Sequence, residues 1–289
     1  IKLDGNYPTG TGNVALGNAA LDDGSLTGGN NTAVGSNSMT ATTSGQQNTA
    51  IGRRSLFSNT TGSYNSALGL HALYTNTAGS NNVAIGMDAL SLNTTASNNT
   101  AVGYQAGYSN TTGNNSVYVG YQAGDSNTTG SDATAVGRSA LQANTTGNNN
   151  QAFGYASLYS NTTGIDNTGI GFMALFSNTT ASNNTAVGYQ AGYTNTTGTD
   201  QVAIGYQALR STTSGIDNVA VGSSALYSNT TGTTNNALGQ ASLYANTTGA
   251  SNTALGHQSL RFNTTASNNT AVGYQSLYSS TTADDNVAL

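Results

Sequence analysis

The sequence predicts an all-β fold, a parallel β-solenoid of about 16 stacked coils forming an elongated rod. Three observations predict it: a 17-residue repeat spans nearly the whole chain, apolar residues recur at fixed stations in it, and the residues other fold classes need are scarce. Strictly constant spacing is what a solenoid requires, because each coil lies directly on the one before. At roughly 4.8 Å per rung, sixteen coils predict a rod about 75 to 80 Å long.

The repeat is centred on the tripeptide Ala-(Val/Ile/Leu)-Gly, and after a first interval of 18 residues every interval is 17. We number positions from its glycine, which is position 0. The glycines stand at 17, 35, 52, 69, 86, 103, 120, 137, 154, 171, 188, 205, 222, 239, 256 and 273. We predict a single repetitive domain over 1–289, with an irregular start at 1–12 and tandem repeats at 13–289. The last repeat is incomplete, so we expect the natural chain to continue.

A longer repeat is superimposed on the short one. The segment 93–103 recurs unchanged at 178–188 and 263–273, a shift of 85 residues or five coils. Duplication of whole blocks in register is tolerated by an architecture that grows by stacking.

The first element of each coil is predicted to be a strand, because it is rich in β-branched residues. Position −1 is apolar in every copy and position +4 is Leu in most, so we predict that both point into the core. The predicted core ladder comprises Val34, Ile51, Ile85, Val102, Val136, Val187, Ile204, Val221, Val272, Leu56, Leu73, Leu90, Leu141, Leu158, Leu175, Leu209, Leu226, Leu243 and Leu260.

The second element is a corner followed by a turn, most often Asn-Thr-Thr-Gly at positions +7 to +10. These residue types supply positive φ and bonds from side chain to backbone. Two alternatives stay open: a strand-plus-helical-turn solenoid, although leucine-rich repeats use 20 to 29 residues, and a disordered low-complexity chain.

Aromatic residues form two stripes, which we interpret as packing between coils or chains, with a ligand platform as the alternative. The stripe at position +1 contains Tyr104, Tyr121, Tyr155, Phe172, Tyr189, Tyr206 and Tyr274. The stripe at position +5 contains Phe57, Tyr74, Tyr108, Tyr159, Phe176, Tyr193, Tyr227, Tyr244 and Tyr278.

Composition argues against several function classes. Only 6% of residues are charged, the net charge is −5 and there is no Cys. These values disfavour nucleic-acid binding, which needs a basic patch, and they leave no thiolate for a disulfide or metal site. No apolar run approaches the roughly 20 residues of a membrane span. We expect no membrane insertion in this stretch and no cofactor.

No catalytic motif is recognisable, so we predict that the protein is not an enzyme. The two histidines, His71 and His257, have no partner at an interpretable spacing. Asp is missing from most turns, and the densest pairs, Asp22-Asp23 and Asp284-Asp285, are local, so we assign no metal site. The arginines are interpreted as solvated or edge charges: Arg53, Arg54, Arg138, Arg210 and Arg261.

The Asn-Thr-Thr turns are also N-glycosylation sequons. We favour the simpler interpretation, that Asn and Thr are good turn and ladder residues, but a sugar projecting from each corner is the alternative. The candidate sites are Asn59, Asn93, Asn110, Asn127, Asn144, Asn161, Asn178, Asn195, Asn229, Asn246 and Asn263.

The strand motif has a known counterpart. The segments Asn-Val-Ala-Ile-Gly at 82–86, Asn-Val-Ala-Val-Gly at 218–222 and Asn-Thr-Ala-Val-Gly at 99–103 resemble the head repeats of trimeric autotransporter adhesins. The Asn-Thr-Thr-Gly spacing resembles repeat tracts of bacterial and phage tail-fibre proteins. The resemblance implies a left-handed parallel β-roll and three chains side by side, displayed outside a cell or on a virion. The repeat is longer than that of the adhesin heads, and no neck or stalk is present.

Together these features predict a non-enzymatic, extracellular structural fibre or shaft that provides reach, stiffness and display. Self-association, as a homotrimer or an end-to-end filament, is the expected partnership. A cell-surface glycan or receptor would be bound through a part outside this sequence. The alternative is an ice-binding or glycan-binding β-solenoid that uses its threonine array. Contiguous threonines within a turn weigh against it, because a flat recognition strand carries side chains on alternate residues.

Overall fold

The computed structural model describes residues 11–289, which form two compact units that divide after Asn148. The predicted irregular start at 1–12 therefore lies almost wholly outside the described residues. Both units are built from the same coil: a three-residue strand, a run of turns, and an irregular segment that leads into the next strand.

The strands of each unit are parallel, and each pairs with the next strand in sequence. Ala33 lies opposite Ala50, and Ala50 opposite Ala67, so the register advances by one 17-residue repeat. In the first unit the strands are β1 (Val14–Leu16), β2 (Thr32–Val34), β3 (Thr49–Ile51), β4 (Ser66–Leu68), β5 (Val83–Ile85), β6 (Thr100–Val102), β7 (Val117–Val119) and β8 (Thr134–Val136). In the second they are β9 (Gln151–Phe153), β10 (Thr168–Ile170), β11 (Thr185–Val187), β12 (Val202–Ile204), β13 (Val219–Val221), β14 (Asn236–Leu238), β15 (Thr253–Leu255), β16 (Thr270–Val272) and β17 (Val287–Ala288).

This architecture confirms the predicted all-β parallel β-solenoid. The helical-turn alternative is wrong, since the second element is a run of turns and residues 11–289 contain no helix. The disordered alternative is wrong as well, because the coils pair strand to strand in constant register. The left-handed sense of the coil stays a prediction.

The strand half of the predicted core ladder is wrong. Successive strand residues point to opposite faces, and the small residue at position −2, such as Ala50, takes the inward place. The apolar residue at position −1 consequently points outward, and Ile51 and Ile85 are each 40% exposed. None of the nine predicted Val and Ile residues is buried: Val34, Ile51, Ile85, Val102, Val136, Val187, Ile204, Val221 and Val272.

The leucines at position +4 fill the core instead. All ten that were predicted there are at most 1% exposed. Each adopts a left-handed backbone, for example Leu56 with φ 50° and Leu73 with φ 53°. This conformation costs an L-residue roughly 1 to 2 kcal/mol, but full burial of a leucine contributes about 1.5 to 3 kcal/mol. The Leu56 amide also donates to the Ala72 carbonyl of the next coil at 2.9 Å.

The glycine at position 0 is required by the stacking. Gly52 has φ 136°, and a Cβ built on it would lie 2.5 Å from the carbonyl oxygen of Gly69 in the next coil. A side chain there would hold the two coils apart, which explains why this glycine recurs in every coil.

The Asn-Thr-Thr-Gly turn works differently from the sequence expectation, because its glycine does not take a positive φ. The amides of Thr60, Thr61 and Gly62 all donate to the carbonyl of Thr77 in the next coil, at 2.9, 3.0 and 3.3 Å. The Thr60 hydroxyl donates to the same oxygen at 2.9 Å. The turn is therefore a cup of donors that holds the coil above it.

Two ladders of buried asparagines run beside the leucines. At position +7, the Asn76 side-chain amide donates to Asn59 Oδ1 at 2.9 Å and to the Gly79 carbonyl at 3.0 Å. At position −4, Asn48 donates from its backbone amide to Asn31 Oδ1 at 2.9 Å and from Nδ2 to the Gly62 carbonyl at 2.9 Å. These bonds satisfy polar groups that would otherwise be buried without partners.

Candidate interaction surface

The outer face of the strands is an ordered apolar surface. Positions −3, −1 and +1 point outward in each coil, and they carry Thr or Val, then Val, Ile or Leu, then frequently an aromatic residue. Leu68 is 47% exposed, Tyr121 is 48% exposed and Tyr206 is 53% exposed. Because the register is constant, each position forms a straight row along its unit.

The apolar rows are densest in four consecutive coils of the second unit, where every coil has an apolar −1 residue and an aromatic +1 residue. We call this set the aromatic patch. It consists of Phe153, Tyr155, Ile170, Phe172, Val187, Tyr189, Ile204 and Tyr206.

The rings of the aromatic patch form one stack. Tyr155 stacks on Phe172, Phe172 on Tyr189, and Tyr189 on Tyr206, with ring centroids 5.1, 5.3 and 5.2 Å apart. The rings of each pair are within 17° of parallel. Each inner ring therefore has both faces covered by its neighbours and presents only its edge to solvent.

A second aromatic row lies at position +5 and is half-buried. Tyr159, Phe176 and Tyr193 stack with centroids 5.1 and 5.3 Å apart. Arg210 occupies the next rung, and its Cζ lies 5.4 Å from the Tyr193 centroid and 5.7 Å from the Tyr227 centroid. The guanidinium replaces a ring in the stack and is attracted to the ring faces on both sides.

The interpretation of the arginines as solvated or edge charges is wrong for most of them. Arg261 lies over Tyr244 at 5.7 Å, Arg138 over Tyr121 at 5.7 Å and Arg54 over Phe57 at 5.9 Å. Arg53 is exposed and agrees with the expectation. The missed signal was the position of the residue, since Arg210 and Arg261 stand at the +5 station that aromatic residues hold elsewhere.

The structure also corrects the expectation that the Asn-Thr-Thr corner projects its asparagine. All eleven candidate asparagines are at most 1% exposed, and they are the members of the +7 ladder: Asn59, Asn93, Asn110, Asn127, Asn144, Asn161, Asn178, Asn195, Asn229, Asn246 and Asn263. A sugar on any of these amides would require the side chain to leave the core. The Asn-Asn-Thr sequons differ, because Asn98 and Asn183 are exposed.

The two threonines of the turn have different roles. The one at +8 is tied down: Thr111 Oγ1 donates to the Thr128 carbonyl at 2.9 Å. The one at +9 points outward, and its hydroxyl has no hydrogen bond within the protein in coils such as those of Thr112, Thr163 and Thr180. The result is a single row of free hydroxyls along the corner of each unit.

The candidate catalytic and metal-binding residues are not brought together. His71 Nδ1 lies 3.2 Å from Asp88 Oδ1, while His257 stacks on Tyr274 with centroids 5.4 Å apart. Within residues 11–289, no three His, Cys, Asp or Glu side chains gather as metal ligands would. In the pair at 22–23, hydrogen bonds from the Ser25 hydroxyl and amide hold the pKa of Asp23 below its usual value. In the pair at 284–285, Asp284 accepts the Ser267 amide at 2.7 Å.

Three coils lack the +4 leucine, and the core responds in two ways. In the first unit the buried ring of Tyr118, at position −2 of β7, occupies the space beside Gly107 and Gly124. In the second unit no large residue compensates for Gly192. A cavity there has ≈ 10 Å³ open to the centre of a water molecule, between Leu175 and Leu209, which is about the minimum for one water.

Comparison with protein-family models finds no match for the chain, and comparison with curated proteins finds none either. Among the residues that the structure describes, none forms a helix with the length and apolar content to cross a bilayer.

Proposed function

We propose that this protein is a non-enzymatic structural fibre or shaft that works outside the cell, at a cell surface or on a virion. The observation that carries the proposal is the unvarying register of the strands within each unit, such as Ala203 opposite Ala220 and Ala220 opposite Ala237. A structure in which every rung repeats the last is suited to provide reach and stiffness. The likeness to adhesin head repeats and tail-fibre tracts supports the same function.

Self-association belongs to this proposal, as a homotrimer or as an end-to-end filament. The exposed apolar rows support the side-by-side arrangement, since contiguous apolar surface marks contact sites. A cell-surface glycan or receptor would then be engaged by a part outside this sequence, while this stretch holds that part at a distance.

The experiment is a length measurement on a variant with one block added. A second copy of residues 178–262 inserted after Phe262 continues the repeat in register, because 178–188 and 263–273 are identical. Five added coils should lengthen the particle by about 24 Å in electron micrographs, at roughly 4.8 Å per rung. A particle that becomes wider without becoming longer would refute the shaft function.

Ice binding is the second candidate, and the free hydroxyl row at position +9 favours it. The +9 threonine is followed by a buried residue and then an outward one, as in Thr197-Gly198-Thr199, so outward side chains do alternate here. Thermal hysteresis is the measurement, comparing the wild type with a variant carrying Thr163→Leu, Thr180→Leu and Thr197→Leu. Activity in the wild type that the variant loses would support ice binding, and inactivity in the wild type would eliminate it.

Binding of glycans by the aromatic rows is not favoured. Sugars pack on the faces of aromatic rings, and in the aromatic patch the faces of Phe172 and Tyr189 are covered by neighbouring rings.

A further inference from the structure

We propose that the aromatic patch is the docking surface for a second copy of this chain, packed parallel and in coil-for-coil register. The inference rests on the proposed fibre function, which requires copies that point the same way. It goes further by assigning the contact to four coils of the second unit and to eight side chains.

The size of the patch is the first argument. Seven of its eight side chains are at least 39% exposed. With large side chains of about 200 Å² each, this amounts to roughly 500 Å² of exposed apolar surface. The value lies in the upper range of the largest patches on monomers, about 300 to 600 Å². Together with the flanking −3 row it approaches the roughly 800 Å² per partner of a standard interface.

The second argument is the absence of charge. In these four coils, positions −3, −1 and +1 carry only Gln, Thr, Val, Ile, Phe and Tyr. Depletion of charged residues is typical of the buried centre of an interface, where Tyr and Phe are enriched. The first unit differs, since Arg53 and Arg138 interrupt its +1 row.

The third argument is that the surface is already ordered. Stacking between Tyr155, Phe172, Tyr189 and Tyr206 fixes the rings before any partner arrives. Association then costs less side-chain entropy than it would with free rings.

The identity of the partner follows from spacing. The rows repeat once per coil, at the separation of neighbouring strands. A partner that fills every rung must carry apolar rows at that same separation. Another copy of this chain does so, and parallel packing in register places each ring and each aliphatic residue beside its own counterpart.

The first test is sedimentation of the full chain at micromolar to 100 µM concentrations. We expect the wild type to associate and the variant Phe172→Lys/Tyr189→Lys to remain monomeric. The control Thr163→Lys/Thr180→Lys adds the same charge at exposed positions on the threonine corner and should associate like the wild type. A monomeric wild type, or association that survives the patch substitutions, would overturn the inference.

The second test does not depend on the stability of the lysine variants. The chain has no Cys, so a single Ile170→Cys provides a unique thiol on the patch and Thr180→Cys provides one on the corner. Under mild oxidation, parallel copies in register should give at least several-fold more disulfide-linked dimer with Ile170→Cys. Equal yields would refute the docking surface. The shaft function would still be decided separately by the length measurement, which applies to a monomer as well.

Discussion

The ring of Tyr118 and the backbone of Gly107 are complementary: a Cβ on Gly107 would lie 2.7 Å from Tyr118 Cδ2. Gly124, on the other side of the ring, has no room for a side chain for the same reason. One tyrosine at a position normally held by alanine therefore replaces two leucines of the core. Gly192 has no such partner, and the cavity remains.

Gly192→Leu should stabilise the protein by about 1 kcal/mol. Burial of the leucine contributes about 1.5 to 3 kcal/mol, and the left-handed backbone costs roughly 1 to 2 kcal/mol. Gly192 already has φ 60°, close to that of the leucines at the same station. Gly124→Leu is the control and should destabilise by about 2 kcal/mol or more, because it overpacks against Tyr118. Thermal unfolding midpoints measure both, and shifts of the same sign would contradict this description of the core.

Stability should fall in alkaline solution through Tyr118. Burial raises the pKa of Tyr118 to about 12, whereas an unfolded tyrosine has a pKa near 10. Below about pH 10 the phenol is protonated in both states and has no effect on stability. Between about pH 10 and 12 the unfolded state loses its proton first, so the free energy of unfolding drops by roughly 2 to 3 kcal/mol. Tyr118→Phe should remove this part of the decline, and identical pH profiles for the two proteins would disprove it.

Asn178→Ala should destabilise the second unit by about 2 to 3 kcal/mol. Asn178 Nδ2 donates to Asn161 Oδ1 at 2.8 Å and to the Ala181 carbonyl at 3.0 Å, and its Oδ1 accepts from Asn195 at 3.2 Å. Thr180→Ala changes an exposed residue of the same turn and should have an effect below about 0.5 kcal/mol. Chemical denaturation compares them, and similar midpoints would show that the ladder does not stabilise the core.

Arg210→Met should cost about 1 kcal/mol, because it removes a cation held between the rings of Tyr193 and Tyr227. Arg53→Met is the matched control at an exposed site, where we expect less than about 0.5 kcal/mol. The measurement is again the unfolding midpoint. An equal loss in both variants would assign the effect to net charge and not to the stack.

Expression in a host that glycosylates secreted proteins should leave the +7 asparagines of the folded product unmodified. These side chains are buried and bonded within the core, whereas Asn98 and Asn183 carry the same type of sequon on the surface. Peptide mapping by mass spectrometry distinguishes the two classes. A sugar on Asn178 in folded material would contradict the buried ladder.

The repeat was sufficient to predict the solenoid, because a constant 17-residue interval leaves few alternatives to stacking. It could not determine which side of the strand faces inward. Ala50 and Ile51 are both apolar, and hydrophobicity alone favours the larger residue for the core, yet the narrow coil has room for alanine there. Asn59 shows the same limit: a polar residue in a turn is normally exposed, and only the ladder of amides from coil to coil makes its burial favourable. Constant asparagines at +7 and −4 were the available signal.

Removal of one repeat tests the stacking most directly. Deletion of residues 229–245 removes one coil and joins Ser228 to Asn246, which restores the repeat in register. Deletion of residues 229–244 removes one residue fewer and shifts every later strand out of register. We predict that the 17-residue deletion keeps the β-sheet circular dichroism and a cooperative melt close to that of the wild type, whereas the 16-residue deletion loses the structure of the second unit. Equal stability of the two deletions would contradict the stacking of identical rungs.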